Sequence, residues 1–466
     1  MVDESNQSPI SDVNITAGEK GTVTDKYGKF QIKTDSKTLF IDHIGFEEIS
    51  TQVADSLYIE LSRSILKNEE IIVLSSLKDE PLINSNSSIS IFKQADIKYL
   101  NQNHFQNIIN YIPNLNFAGG TSRPRYFQIR GVGERSQYFG EGSPNFSIGY
   151  VLDDIDLSGM GMLGQLFDLN QIEVFKGPQS SIFGSNAIGG IISLRSNKPS
   201  NKNIYRYLLT VGDDGKKGFS GLVNYKIIQN LFLRICSSYN YSNGFRKNNY
   251  LKIENSNKKD ELSVRAKLLF TPSKHFNLLG TVILSDLKNG YDAWAPDNNE
   301  KYITYSDDQG EDSQYTNAAS VRLNLELGSD TKITSISSLS NTNLIHAYDG
   351  DWANDDYWLN QHGFDPDVEG WNYRFFDRND RERENLVQEL RLLHKKYTFG
   401  LYYKQLTEED YAEGYLFGGL GDEASSKYDF TAFAGYVQWQ FNLTRKATID
   451  FNLRLEENEY KYSGRT

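Results

Sequence analysis

The chain has 466 residues, 61 acidic against 49 basic, for a net charge of −12, which excludes the basic footprint of a protein that wraps nucleic acid. A single cysteine, Cys236, excludes an internal disulfide, and six scattered His without ligand spacing give no sign of a metal or haem site. Aromatic residues reach 13% although the mean hydropathy is −0.55, a combination that porin-like walls produce and that a large polar sandwich or propeller would also give.

In chain order, MVDESNQSPISDV lacks the basic start and apolar core of a signal peptide. GTVTDKYGKFQIKTDSKTLFIDHIGFEEIS then alternates apolar and polar positions, with turn residues at Asp25 to Gly28 and Thr34 to Lys37, which predicts a small β-sandwich. NEEIIVLSS, Asn68 to Ser76, is a short β-prone run beside polar residues, able to add to a partner's sheet edge or to serve as plain strand or linker. SISIF predicts a strand. ADIKYLNQNHFQNIINYI places Ile97, Leu100, Phe105, Ile108, Ile109 and Ile112 near helical spacing before Pro113, with His104 read as a satisfied or solvated histidine. Short apolar runs at Tyr150 to Ile155, Ile172 to Phe175 and Gly190 to Leu194 predict further strands between Gly and Pro turns. Gly159, Gly161 and Gly164 spell a dinucleotide-type pattern, but QLFDLNQIEVFKG returns at once to a strand and leaves no room for the helix that must hold a pyrophosphate.

From Ile204 the texture changes. Leu262, Val264, Ala266, Leu268 and Phe270 alternate with polar or charged residues, as do Val321, Leu323, Leu325 and Leu327, and Ile449, Phe451, Leu453 and Leu455. We read strands at 204–211, 219–227, 231–241, 262–270, 276–285, 319–327, 331–340, 383–394, 397–406, 430–441 and 447–457, about the length that crosses a bilayer when tilted. No run of about 18 apolar residues offers a membrane helix instead. Tyr205, Tyr207, Tyr239, Tyr241, Tyr397, Tyr403, Trp439 and Phe441 sit near strand ends, as an interfacial girdle would. Links after the second, fourth, sixth, eighth and tenth strands are short, and those after the third, fifth, seventh and ninth are long and polar, the sorting of an outer-membrane barrel. The loop around Trp352, Trp358 and Trp371 is acidic and aromatic; a solvated loop is expected there, with a ligand cap or hard-cation site as the alternative.

Pro113, FQIRGVG, VLDDID, IEVFKGPQSSIFGSNAIGG and IISLRS, in that order, resemble the plug domain of TonB-dependent outer-membrane transporters. VTDKYGKFQI followed by LFIDHIGFEEI resembles the carboxypeptidase-regulatory-like domain that precedes some of them, and Ile71, Ile72, Val73, Leu74 and Ser75 resemble the TonB box. The resemblance implies a mainly β chain: a carboxypeptidase-regulatory-like sandwich at 1–66, a TonB-box linker at 67–80, a mixed α/β plug at 81–200, and at 201–466 the first half, eleven strands, of a transmembrane antiparallel barrel of about 22. An odd, open wall would leave unpaired edges in lipid, and the final KYSGRT is not the family's usual aromatic end; the expectation is a fragment.

By that resemblance the function is energised uptake of a ferric siderophore, with cobalamin, haem or oligosaccharide as other cargoes, at the cell outer membrane. The partners implied are TonB with its inner-membrane complex, the ligand and outer-membrane lipid, with no nucleic acid, cofactor, metal or catalytic residue. Ligand contacts would come from the plug residues Arg123, Arg125, Tyr126, Arg135, Tyr138 and Phe139; ion pairs to the wall are the other reading of the arginines. Arg130, Glu173, Lys176 and Arg195 would pair with the inner wall. The competing classes are a soluble β-rich nucleotide-binding enzyme and a barrel or adhesin that transports nothing.

Overall fold

The computed structural model describes residues 1–466 apart from 19, 64–70, 76, 79, 101, 135–145, 161–162, 181–183, 185–186, 417–418, 421–423, 445–446 and 466. Two units divide it, Met1–Ile72 with Pro81–Asn84, and Val73–Glu80 with Ser85–Thr466. In the first, strands β1 (Asn14–Ala17), β2 (Lys20–Val23), β3 (Thr38–Asp42) and β4 (Ile49–Gln52) form an antiparallel sheet in the order β2-β1-β3-β4, and Val2–Asp3 pairs in parallel with Glu60–Leu61. Alternation puts Ile15, Ala17, Leu39 and Ile41 on one face, where they bury with Val13 and Leu61. The turn expected at Asp25 to Gly28 is present: the Asp25 carboxylate accepts the N–H groups of Tyr27 and Lys29.

The second unit begins with a five-stranded sheet of β5 (Ser88–Lys93), β6 (Ile148–Leu152), β7 (Ile155–Asp156), β8 (Leu169–Lys176) and β9 (Gly190–Ser196), in the order β7-β6-β9-β8-β5. β6 and β9 are parallel, and β8 is antiparallel to both its neighbours. β8 and β9 are buried almost without interruption, as central strands covered on both faces are. Helix α1 (Gln94–Leu100) follows β5.

Two expectations need correction. The single helix read across 95–112 is two pieces, α1 and a 3-10 helix at Phe105–Tyr111, because His104 takes the N-cap of the second and its Nδ1 accepts the Gln106 N–H at 3.1 Å. That histidine is buried and structurally engaged. The strand read across Tyr150 to Ile155 is a hairpin, folded at Asp153 and Asp154, whose φ angles of 50° and 73° suit a two-residue turn with both central residues left-handed.

The rest of the unit is a wall of eleven long strands: β10 (Ile204–Val211), β11 (Lys217–Ile228), β12 (Leu231–Ser242), β13 (Lys259–Ser273), β14 (Phe276–Gly290), β15 (Glu311–Glu326), β16 (Thr331–Asp349), β17 (Phe375–His394), β18 (Tyr397–Leu416), β19 (Ala424–Thr444) and β20 (Ala447–Arg465). Each is antiparallel to the next, without a crossover. Every strand expected from alternation is present. Several run further toward the long loops than expected, as in Glu311–Glu326 where 319–327 was read, because the outer stretches are polar on both faces and carry no alternation.

Burial along the wall is inverted. On β13 the charged residues Glu261, Arg265 and Lys267 are buried, whereas Leu262 and Leu268 are about two-fifths exposed. Leu339, Leu401 and Phe433 are more than half exposed. A water-soluble sheet would bury such rows; a wall whose outer face meets lipid exposes them. Inside, Ile283, Leu287 and Ala318 of the wall join the apolar core built on β6, β8 and β9.

Candidate functional site

The hairpin turn between β6 and β7 fixes the main anchors. Left-handed backbone at Asp153 and Asp154 aims two adjacent carboxylates at the wall, and Asp156 follows on β7. Asp153 lies 2.9 Å from Lys267 Nζ and 3.9 Å from Arg265, and it also accepts the N–H and hydroxyl of Ser196. Asp154 accepts Arg322 Nε and Nη2 at 2.8 and 2.6 Å and Arg195 Nη1 at 2.5 Å. Asp156 lies 2.8 Å from Lys404 Nζ.

Burial by itself would neutralise these acids. At Asp153 the charges of Lys267 and Arg265 outweigh it and hold the carboxyl below its ordinary value; Arg195 and Arg322 hold Asp154 well below; and Lys404 holds Asp156 at about 2. Asp168, itself left-handed at φ 62°, makes a two-point pair with Arg234 of β12 at 2.5 and 2.7 Å.

Three of the six residues expected to meet ligand lie among the described residues. Arg123 makes a two-point pair with Glu261 of β13 at 2.6 and 2.7 Å. Arg125, 3% exposed, pairs with Asp312 of β15. Tyr126 is buried and stacks on Phe146 at 6.0 Å. Arg135, Tyr138 and Phe139 lie outside the described residues.

Of the four charges expected to pair with the wall, Arg195 pairs with the plug's own Asp154, which it shares with Arg322 of the wall. Arg130 and Lys176 sit near each other, and no described carboxylate forms an ion pair with either; burial and then the Arg130 charge lower the Lys176 ammonium. Glu173 is fully buried and turns to the segment ahead of the plug. Its Oε1 accepts the Leu74 N–H at 2.6 Å and its Oε2 the Ser75 N–H at 2.9 Å. The hydroxyls of Ser75 and Ser193 are 2.7 Å apart, and Arg195 Nε donates to Ser75 Oγ at 3.3 Å. Val73 is buried and Leu74 half-buried.

At the long-loop end, the stretch expected to be a solvated loop contains helix α2 (Asp355–His362), capped by Asn354, and the short helix α3 (Pro366–Glu369). Trp358 and Tyr373 lie 4.8 Å apart, as do Phe364 and Trp371. Its carboxylates are spent on backbone: Asp349 accepts the N–H groups of Asp307, Asp351 and Trp352, and Asp351 that of Phe375. Among the described residues no group of acids, His or Cys is placed to hold a metal ion. At the glycine pattern, Gly164 is packed so closely that a Cβ would lie 2.8 Å from the His104 ring, and β8 follows where a nucleotide-binding helix would have to start.

Comparison with known proteins agrees with this arrangement. Residues 81–191 match the family model described as TonB-dependent Receptor Plug Domain. Residues 81–191 are thus similar to the plug domain of TonB-dependent receptors. TonB-dependent receptors are outer-membrane proteins and non-enzymatic transporters, which fits a wall with its apolar rows outward. The chain is 26% identical over 170 residues to the ferrioxamine B receptor of Salmonella typhimurium (strain SL1344), covering 33% of this chain and 22% of that receptor.

Solved structures with the same fold include the ferric yersiniabactin uptake receptor FyuA from Yersinia pestis, with a TM-score of 0.67 at 14% identity over 82% of this chain and 61% of that one. The ferric-catecholate import receptor Fiu from K12 E. coli gives a TM-score of 0.63 at 16% identity over 82% of this chain and 58% of that one. The chain thus spans less than two thirds of each of these receptors. The plug motifs and the alternating strands point to this fold, while the anchoring acids at 153, 154, 156 and 168 carry no role in the sequence reading. The signal that could have found the first three is VLDDID itself: three acids in a run otherwise buried need cations.

Proposed function

We propose that this TonB-dependent receptor takes part in energised uptake of a ferric siderophore across the outer membrane. In this reading residues 1–66 are an accessory β-domain resembling the carboxypeptidase-regulatory type, 67–80 carry the coupling segment, 81–200 are the plug and 201–466 belong to the barrel wall. Ile71 to Ser75 act as the TonB box: TonB adds a strand to them and pulls, and the plug rearranges so that cargo passes. Cargo is captured on the long-loop side, where α2, α3 and their aromatic rings lie.

The observation that carries the reading is the attachment of Leu74 and Ser75 to Glu173, at the front of a plug that is itself ion-paired to a lipid-facing wall. A segment fastened at Leu74 and Ser75 through hydrogen bonds to one carboxylate can be detached there without unmaking the sheet. The relatives named for ferric yersiniabactin, ferric catecholate and ferrioxamine B support an iron-chelate cargo. Deletion of residues 71–75 should abolish accumulation of radio-iron chelate in cells while chelate binding at the cell surface persists. Undiminished uptake would overturn the reading, and loss of both would show a folding defect that a milder Val73→Pro variant must then separate.

A further inference from the structure

The sheet of the first unit has two unlike faces. One builds the core, where Ile15, Leu39 and Ile41 are at most 1% exposed. The residues between them point the other way. Register sets Gly21 of β2, Thr16 of β1, Phe40 of β3 and Ser50 of β4 in one row across that open face, and Val23, Asn14 and Asp42 in the next. Phe40 is 60% exposed and Val23 54%. A depression of about 890 Å³ lies over both rows, with Glu48 at its border.

The polar groups on this face are unspent. Among the described residues the side chains of Asn14, Thr16, Asp42 and Ser50 have no hydrogen-bond partner, so donors and acceptors surround an open ring. Such a surface suits a ligand with an apolar face and a hydroxylated edge. The C–H face of a pyranose stacks on the electron-rich face of an aromatic ring, and its edge hydroxyls match amide, hydroxyl and carboxylate groups. A protein partner would call for a contiguous apolar core to the contact, whereas here Phe40 and Val23 stand apart among polar neighbours. Asp42 and Glu48 repel an anionic polymer.

We propose that this face binds a neutral glycan strand of N-acetylhexosamines, with one pyranose stacked on Phe40 and an acetamido group meeting Asn14 through its amide and Val23 through its methyl. The source of the glycan rests on the uptake reading, in which residues 1–66 precede the coupling segment on the side that TonB reaches; the cell-wall polymer there is built of N-acetylhexosamines. The binding chemistry itself stands apart from that reading.

The test is calorimetric titration of the full chain in detergent with three soluble probes: a tetramer of N-acetylglucosamine, a glucose tetramer of the same linkage, and a tetramer of galacturonate. The first should bind saturably, about threefold or more tighter than the second, and the third should not bind. Phe40→Ala, at an exposed position that the fold does not need, should weaken binding about tenfold, and Phe40→Trp should preserve it. Gly21→Leu should also weaken it by filling the open end of the row, since an added Cβ there meets nothing closer than 3.6 Å and leaves the sheet intact.

The proposal is overturned if the N-acetylglucosamine tetramer does not bind saturably, if the glucose or galacturonate tetramer binds equally well, or if binding ignores both Phe40→Ala and Gly21→Leu. Sugar binding together with uptake undiminished by deletion of residues 71–75 would keep the site and remove the uptake reading. Absent sugar binding together with uptake lost on that deletion would do the reverse.

Discussion

Two sets of aspartates mark different regions of this chain, and the same side chain does opposite things in them. In the plug turn, Asp153, Asp154 and Asp156 each face a cation, so burial strengthens the pairing and the carboxyls stay charged. In the outer loops, Asp307, Asp308, Asp349 and Asp351 crowd one another: the carboxylates of Asp349 and Asp351 accept backbone N–H groups, among them those of Asp307 and Phe375, and that of Asp308 pairs with Arg374. Burial and then the charges of Asp308 and Asp351 raise Asp307 to about 6, and burial also raises Asp351. The contrast separates an acid that fastens one body to another from an acid that shapes a loop.

The largest effect expected is at the shared anchor. Asp154→Ala leaves Arg195 and Arg322 facing each other in a poorly solvated space, a loss of about 3 kcal/mol, read as a lower urea midpoint for plug protection. An unchanged midpoint would mean that the anchors are ornamental and the comparison false.

Next comes acid. Asp156 has a folded value of about 2 against an ordinary 3.8, so its contribution is complete above the ordinary value and is lost as pH falls toward 2. Its size is about 2 kcal/mol. The raised Asp307 has the opposite sign: the folded loop prefers the protonated form, so the loop gains stability as pH falls through about 6. Amide exchange, corrected for intrinsic rates, should show loops 291–310 and 350–374 better protected at pH 5 than at pH 7.5 while the plug sheet does not change. A common pH trend in both regions would break the distinction.

Smaller effects sharpen it. Asn354→Ala removes the N-cap of α2, costing about 1 kcal/mol, and should speed exchange in 355–362 only. Asp307→Asn relieves repulsion at a half-exposed site and should stabilise the loop by about 0.5 kcal/mol at pH 7.5, once solvent screening is allowed for, while reducing its pH dependence to what Asp349 and Asp351 leave.

These regions also differed in how far they could be read from the chain alone. The wall was legible because period-two alternation is written residue by residue, as in Leu262 to Phe270, and because turn lengths sort by side. The strand ends were not, since alternation stops where both faces meet water. VLDDID gave a strand because Val151, Leu152 and Ile155 are apolar; nothing local announced that Asp153 and Asp154 would both turn left-handed, and their partners at 265, 267, 322 and 404 lie more than a hundred residues away. Glu173 was noticed as a charge inside a buried strand, but its partners are backbone N–H groups, which no side-chain pattern advertises. The outer loop gave its aromatic residues but not its helices, whose stability rests on Asn354, Asp365 and the left-handed Gly363 and Gly370 at their ends.

The central claim is that the wall turns its apolar rows to lipid and its charged rows to the plug. Quenching by brominated phospholipid of single reporters at Leu339 and Leu390, both about half exposed, against reporters at the buried neighbours Ser340 and Glu389 tests it most directly. Strong quenching at 339 and 390 with little at 340 and 389 is the result this account predicts; equal quenching at all four, or none at any, would contradict it.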